Sequence, residues 1–390
     1  METPIRARSV CAVSVMDDSD PDIAFDADGV CQYVRLARQR LETECVRGPE
    51  GEARLAGLVA RIKAEGQGKP YDCVIGLSGG VDSSYVALRA RELGLRPIAI
   101  HLDNGWNSEA AVSNIERLVR TLDIDLHTVV VPWAEIRDLQ RAFFRASIPN
   151  VEAITDHAIF ASLYRATRRW GTRFILPGSN VETESIMPAA WGHSARDSHI
   201  IRALHRHYGD LPRLKRYPLM PPWEFLWHTL ARRVRNLPIL NYGPYNKKAV
   251  IERLQREVGW RPYPRKHGES RFTRFFQEYY LPRKFGFDKR KAHYSNLIVA
   301  GQMTRSEAFA ALNEPLYRGA EAEIELDYVT KKLGFSLEEW GRIMTAPPRA
   351  YEDFPNDAWL FRTRLPGTQT IRRLARDGVP PAIALQGGAP

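Results

Sequence analysis

The string Ser78-Gly79-Gly80-Val81-Asp82-Ser83-Ser84 holds the residue types of an oxyanion cradle. Two adjacent glycines let the backbone turn tightly and present amide N–H groups to an anion, and a helix starting there adds partial positive charge. The hydroxyls of Ser78, Ser83 and Ser84 supply further donors. Asp82 is out of place in a simple phosphate site, because its carboxylate would repel the ligand unless Mg²⁺ stood between them. The combination predicts Mg-pyrophosphate bound as a leaving group. Two glycines alone would be an ordinary strand-to-helix turn with a capping side chain; the whole string at a strand end is far more specific. No Gly-Lys-Ser/Thr follows, so it is not a Walker A loop.

The elements around the string are those that must hold it. Residues 71–77 read as a buried strand, 82–93 as a helix closed by Gly94, and 96–102 as a second strand. Helices over 109–122, 133–145 and 156–170 then alternate with strands over 126–131 and 173–176. Strands separated by helices predict right-handed crossovers and a doubly wound parallel α/β sheet of the nucleotide-binding kind. Ligands bind such sheets at the carboxyl ends of the strands, which directs attention to the loops starting at Ser78, Asp103 and Pro177. A small N-terminal lobe (1–65) precedes the nucleotide domain (66–240). A basic helical region (241–320) and a helical C-terminal region with a Pro- and Gly-rich tail (321–390) follow, the last helix expected over 328–345.

Composition narrows the function classes. At 390 residues, with 44% hydrophobic and 26% charged, the chain reads as an ordinary globular protein. Its net charge of +10 lies entirely in residues 201–300, which hold 22 basic and 7 acidic side chains, and such a segment calls for an anionic partner. No apolar run approaches the roughly 20 residues of a membrane span, and the start shows no apolar signal region, so the expectation is a cytoplasmic protein without a transmembrane segment. Four cysteines (Cys11, Cys31, Cys45, Cys73) fit a reducing compartment. Cys73, inside a strand, reads as a core residue.

The Ser78 string resembles the signature of the PP-loop ATP pyrophosphatases. That resemblance implies Ser78, Gly79, Gly80, Val81, Asp82 and Ser83 at the pyrophosphate. It also implies Asp103 and Asn104 near the adenosine, and Gly178 and Ser179 closing the nucleotide pocket. On its own, Asp103-Asn104-Gly105 is a turn. Four further segments narrow the likeness: 17–31, 178–188 (Gly-Ser-Asn-Val-Glu-Thr-Glu-Ser-Ile-Met-Pro), 241–248 (Asn-Tyr-Gly-Pro-Tyr-Asn-Lys-Lys) and 288–295 (Asp-Lys-Arg-Lys-Ala-His-Tyr-Ser). In that order they resemble the N-acetyl sugar amidotransferase family of WbpG and PseA type, and the segments at 178 and 241 look most like WbpG. The resemblance implies ATP and Mg²⁺ as cofactors. It further implies a UDP-linked 2,3-diacetamido-uronic acid as substrate, conversion of an acetamido to an acetamidino group, and a role in bacterial O-antigen biosynthesis.

The chemistry asks for cations. An amide is a poor electrophile until its oxygen is made a leaving group, so the oxygen attacks the α-phosphate and ammonia displaces AMP. Charge builds on phosphate oxygens throughout. Lys289 and Lys291 are the catalytic candidates beside Asp82, with Lys247, Lys248 and Arg290 as substrate-binding cations. Asn180, Thr183, Glu184 and Trp191 are candidates for the sugar or ammonia, and His293 and His267 for an anionic group.

Nothing resembling a sulfur-transfer cysteine pair or a glutaminase is present, so the family likeness implies ammonia from a HisH-like glutaminase with a HisF-like barrel partner. Relatives often carry Cys-x-x-Cys at both ends of the acidic N-terminal segment. Here Cys11 is followed by Ser14 and Cys31 by Val34, leaving a degenerate site in which no structural zinc is expected. A rival reading keeps the nucleotide domain but makes the substrate tRNA, with Trp191, Trp223, Trp227 and Trp260 as stacking platforms. The sugar reading expects no nucleic acid.

Overall fold

The computed structural model describes residues 9–192, 194–263 and 268–357; His267 lies outside them. Residues 9–31 lead into α1 (Gln32–Glu44) and α2 (Gly48–Gly66). The chain then alternates β1 (Cys73–Gly76), α3 (Val81–Glu92), β2 (Pro97–Asp103), α4 (Glu109–Leu122) and β3 (Asp125–Val130). Helices α5 (Trp133–Arg145) and α6 (Ala153–Arg169) lead to β4 (Phe174–Leu176). After α7 (Val181–Glu184), α8 (Ser198–Tyr208) and α9 (Pro222–Leu226) comes β5 (Arg235–Asn236). All five strands are parallel, in the order β3-β2-β1-β4-β5. The expected doubly wound α/β sheet is present, with the two-residue β5 added beside β4.

The pleat sends alternate residues to opposite faces, and the burial follows it. Cys73 and Ile75 of β1 and Ala99 of β2 join Val86, Leu118 and Leu254 under α3, α4 and a later helix, α10 (Lys247–Val258). Val74, Ile98 and Ile100 face the other way, onto Ala161, Tyr164 and Phe225. Both faces are covered, which is why these strands read as continuous apolar runs. β3 is the exception: as the edge strand it leaves Leu126 and Val130 exposed.

The C-terminal part is helical: α11 (Arg271–Phe275), α12 (Leu281–Phe285), α13 (Lys289–Val299), α14 (Arg305–Asn313), α15 (Glu321–Leu333) and α16 (Leu337–Thr345). The helix expected over 328–345 is two helices. Gly334 ends α15 in the left-handed region (φ 75°), and the Ser336 hydroxyl restarts the chain by capping the Glu339 N–H at 3.0 Å. Between α11 and α12 the chain widens into a π-turn over Phe276–Tyr280. Pro282 has no N–H to return to the carbonyl of Glu278, and the turn before it opens.

One large apolar core runs from Cys11, Met16 and Cys31 through Phe143 and Phe144 to Phe272, Tyr280 and Trp340. The N-terminal lobe is fastened to the helical part by polar contacts. Arg305 donates to the carbonyls of Ser14 (3.1 Å) and Cys11 (2.9 Å), the Val15 N–H donates to the Ser295 hydroxyl (3.3 Å), and Lys291 pairs with Asp17 at 2.5 Å. Burial pushes the Cys31 thiol up to about 11, a protonated neighbour for Cys11. Among the described residues no group of three or more His, Cys, Asp or Glu is arranged to hold a metal ion. Nor is any described helix long and apolar enough to cross a membrane.

Candidate functional site

The Ser78 loop leaves β1 and enters α3. Gly79 sits at φ 82°, and a Cβ there would meet the Ala111 carbonyl oxygen at 2.9 Å, so both conformation and space require glycine. The loop is closed by its own hydroxyls: Ser78 and Ser83 Oγ lie 3.1 Å apart, the Gly80 N–H donates to Ser78 Oγ (3.3 Å), and Ser83 Oγ donates to the Gly80 carbonyl (3.1 Å). From outside, Trp260 Nε1 and the Tyr263 hydroxyl each donate to the Gly79 carbonyl at 2.9 Å. That carbonyl is thereby satisfied by two residues that themselves line the cavity.

Gly178, after β4, lies against the start of α3. A Cβ on it would stand 3.1 Å from the Ser83 nitrogen and 3.3 Å from the Asp82 carbonyl carbon. Asn180 caps α7 by accepting from the Thr183 N–H at 3.0 Å, while its amide reaches Asp82 Oδ1 at 3.4 Å. The Tyr245 hydroxyl donates to the same Oδ1. Ser179 Oγ is buried and makes no hydrogen bond to a described residue, an orphan of the kind a bound oxyanion satisfies. After β2, Asp103 accepts from the Gly105 N–H (2.9 Å), and Asn104 accepts from Trp106 and donates to Thr155 (3.2 Å each). Asp103 is thus engaged in its turn, whereas Asn104 lines the cavity.

All of this opens into a cavity of about 780 Å³. Ser78, Gly80, Val81, Asp82, Ser83, Asn104, Gly178 and Ser179 form one part of its wall, and Thr183, Glu184, Lys247, Lys289 and His293 another. On α13 the lining residues are Lys289, His293 and Asn296, spaced i, i+4, i+7 on one helical face. Lys291 and Arg290 do not line this cavity. Lys291 lies on the far side in its ion pair with Asp17. Arg290 is bound to Asp288 (2.7 Å) and to the Glu314 carbonyl (2.7 Å) after α14, on the wall of a smaller adjoining cavity of about 370 Å³. Lys248 is exposed in the first turn of α10. Trp191 is fully buried and stacked on Phe287, with ring centroids 5.4 Å apart, and so belongs to the core. Asn180 acts through Asp82 and α7.

Sequence reasoning missed several lining groups. Asp156 and Glu152 come from the start of α6, and Thr273 and Gln277 from the α11 helix and its π-turn. Asp156 lines the cavity and is exposed to its space. Burial, chiefly, pushes its carboxyl up to about 6, with Glu184 adding and Lys289 opposing. Burial likewise lowers Lys289, opposed by Glu152 and Asp156. His101 bonds the Leu77 carbonyl through Nδ1 (2.9 Å) and Asn107 through Nε2 (3.0 Å), which fixes it as the Nδ1–H tautomer.

Asp82 Oδ2 makes no hydrogen bond to a described residue, and Glu184 lines the same cavity. A hard divalent cation beside phosphate oxygens suits such carboxylate donors.

Residues 269–366 match the family model described as LPS biosynthesis protein WbpG-like, C-terminal domain. Over 114 residues the chain is 29% identical to tRNA(Ile)-lysidine synthase from two strains of Thermus thermophilus, covering 29% of this chain. It spans only 21% of the length of those curated relatives. Among solved structures it is similar to the NH3-dependent NAD synthetase of Campylobacter jejuni (20% identity, TM-score 0.27, 34% of this chain and 57% of that one). It is also similar to the NMN synthetase of Francisella tularensis (14% identity, TM-score 0.32, 74% of this chain and 96% of that one).

Proposed function

We propose that this chain, a member of the WbpG-like family through its C-terminal domain, is an ATP-dependent amidotransferase. It would convert an acetamido group of a nucleotide-linked 2,3-diacetamido-uronic acid, with UDP as the carrier, to an acetamidino group. The observation that carries the reading is the shared cavity: the Ser78 loop and the Lys289–His293–Asn296 face of the WbpG-like region line one space. Adenylation at the loop and transfer at the helical wall would take place without the intermediate leaving it.

In the first step the amide oxygen bonds to the α-phosphorus of ATP and the bond to the β-phosphate bridging oxygen breaks, giving an O-adenylyl imidate that keeps the amide proton on its nitrogen, and pyrophosphate. Ser78, Ser83, Ser179 and the loop amides hold the departing pyrophosphate, and Lys289 stabilises the charge on the transferring phosphate. Mg²⁺, held by Asp82 together with the phosphates, would neutralise the charge that makes Asp82 unwelcome there. In the second step ammonia adds to the imidate carbon, its nitrogen sheds a proton to the Asp156 carboxylate, and the C–O bond breaks to release AMP. A carboxyl raised to about 6 suits that base role near neutral pH. Ammonia would come from a separate glutaminase of HisH type with its barrel companion.

A second reading has one observation in its favour beyond the partial likeness to tRNA(Ile)-lysidine synthase. Trp223 and Trp227 are 70% and 41% exposed, and Arg168 and Arg232 stand 5.6 Å from the Trp227 ring. Trp191 and Trp260 are buried and unavailable for stacking. Release of AMP that requires the sugar nucleotide, Mg-ATP and ammonia together supports the amidotransferase. AMP release dependent on tRNA instead, with steep salt dependence, supports the second reading.

A further inference from the structure

Arg196 lies in the segment between α7 and α8 and lines the main cavity. Its guanidinium is packed between two aromatic rings, 5.4 Å from the centroid of Phe160 and 4.9 Å from that of Phe225. Nε and Nη2 are both shielded from water and make no hydrogen bond to a described residue, and Arg196 makes no ion pair with a described residue. Arginine carries its charge at every physiological pH, and a shielded cation without a counter-charge is costly. The ring faces offset part of that cost but leave the N–H donors unmet.

The backbone on either side is fixed. His157 bonds the Ala195 carbonyl through Nδ1 at 2.7 Å and accepts the Met220 N–H at Nε2 (2.9 Å); burial pushes its ring down to about 4, so it serves as a neutral strut. Asp197 caps α8 by accepting from His199 (2.9 Å) and Ile200 (3.0 Å). The segment is held rigidly while the guanidinium it presents makes no hydrogen bond or ion pair to a described residue, the arrangement of a preorganised binding group.

We propose that Arg196 anchors an oxyanion of a bound ligand in this cavity, and that the oxyanion is the carboxylate of the acidic sugar. Only the second part rests on the amidotransferase reading. The pyrophosphate already has the Ser78 loop, whereas none of the other positively charged groups in the described cavity wall, Lys247 and Lys289, has the planar fork that matches a carboxylate. Arg196 would then determine specificity, selecting a uronic acid over a neutral sugar.

The test uses full-length wild type, Arg196→Met and Arg196→Lys, with melting temperature and affinity measured against UDP-glucuronate, UDP-glucose and Mg-ATP. Wild type is expected to prefer UDP-glucuronate to UDP-glucose. Arg196→Met should lose that preference with affinity for UDP-glucuronate weakened on the order of 100-fold, while its ligand-free melting temperature is unchanged or higher, because an unpaired buried charge has been removed. Arg196→Lys, which keeps the charge and loses the fork, should fall between. If the Arg196-dependent gain appears with Mg-ATP alone, the oxyanion anchor stands and the acidic-sugar reading falls. Equal ligand responses in wild type and both variants, or a lower ligand-free melting temperature in Arg196→Met with unchanged responses, would overturn the proposal.

Discussion

The hydroxyl of Tyr245 donates to the carboxylate of Asp82, joining residues 163 positions apart and tying the approach to α10 to the first turn of α3. The bond holds the one acidic side chain of the loop on a fixed heading, with Asn180 on the same oxygen. In return burial, with the carboxylate adding, pushes the Tyr245 hydroxyl well up and keeps it protonated.

Tyr245→Phe removes that donor and leaves the ring packed. A hydrogen bond to a charged group contributes about 1.5–3 kcal/mol. Turnover with saturating Mg-ATP is expected to fall roughly 10- to 100-fold, with a change in Mg²⁺ dependence and a nearly unchanged melting temperature. Unaltered Mg²⁺ dependence would detach Tyr245 from the role given to Asp82.

Gly178→Ala places a methyl 3.1 Å from the Ser83 nitrogen and 3.3 Å from the Asp82 carbonyl carbon. Backbone on both sides leaves little room to yield, and overpacking costs about 1–3 kcal/mol. The expected result is weaker ATP binding by calorimetry, out of proportion to the modest loss of stability.

Lys289 and Lys291 are two residues apart on α13 and should separate cleanly. Lys291→Ala removes the cation paired with the buried Asp17 carboxylate, costing about 3 kcal/mol in chemical denaturation with turnover retained. Lys289→Ala should do the opposite, abolishing sugar-dependent AMP release while the fold persists. If the two variants exchange these outcomes, the assignment of α13's cavity face is wrong.

Asp156 gives a pH test of known sign. Its folded-state value is raised to about 6, so the folded state binds this proton more tightly than the unfolded chain. The destabilisation it brings grows as pH rises from the ordinary carboxylate range through about 6 and is complete above that. Asp156→Asn should raise the melting temperature at pH 8, a gain that vanishes towards pH 4. Activity in the wild type should fall as pH drops through about 6, and the variant should lose both that limb and roughly 100-fold of the rate.

What the sequence made legible was local. The strand, loop and helix around Ser78 are contiguous, and their signals of an apolar run, paired glycines and a capping group need no knowledge of distant residues. β5 was invisible because two residues carry no period. Trp260, Tyr263 and Tyr245 reach the loop from far along the chain, and only folding brings them there. On α13, Lys289, Arg290 and Lys291 look alike as a basic run, but successive helical residues turn by about 100°, so Lys291 faces Asp17 and away from the two adjoining cavities that Lys289 and Arg290 line. Reading the spacing with His293 and Asn296 would have singled out Lys289. Arg196 gives no motif, since what marks it is a partner missing in three dimensions.

The central claim is tested most directly by mixing the protein with Mg-ATP, ¹⁵N-ammonium and a UDP-linked 2,3-diacetamido-uronic acid and analysing both products. The account predicts AMP and pyrophosphate in equal amounts, and a sugar in which one acetamido oxygen has been replaced by ¹⁵N-labelled NH. ADP with phosphate, or AMP formed at the same rate without the sugar nucleotide, would contradict it.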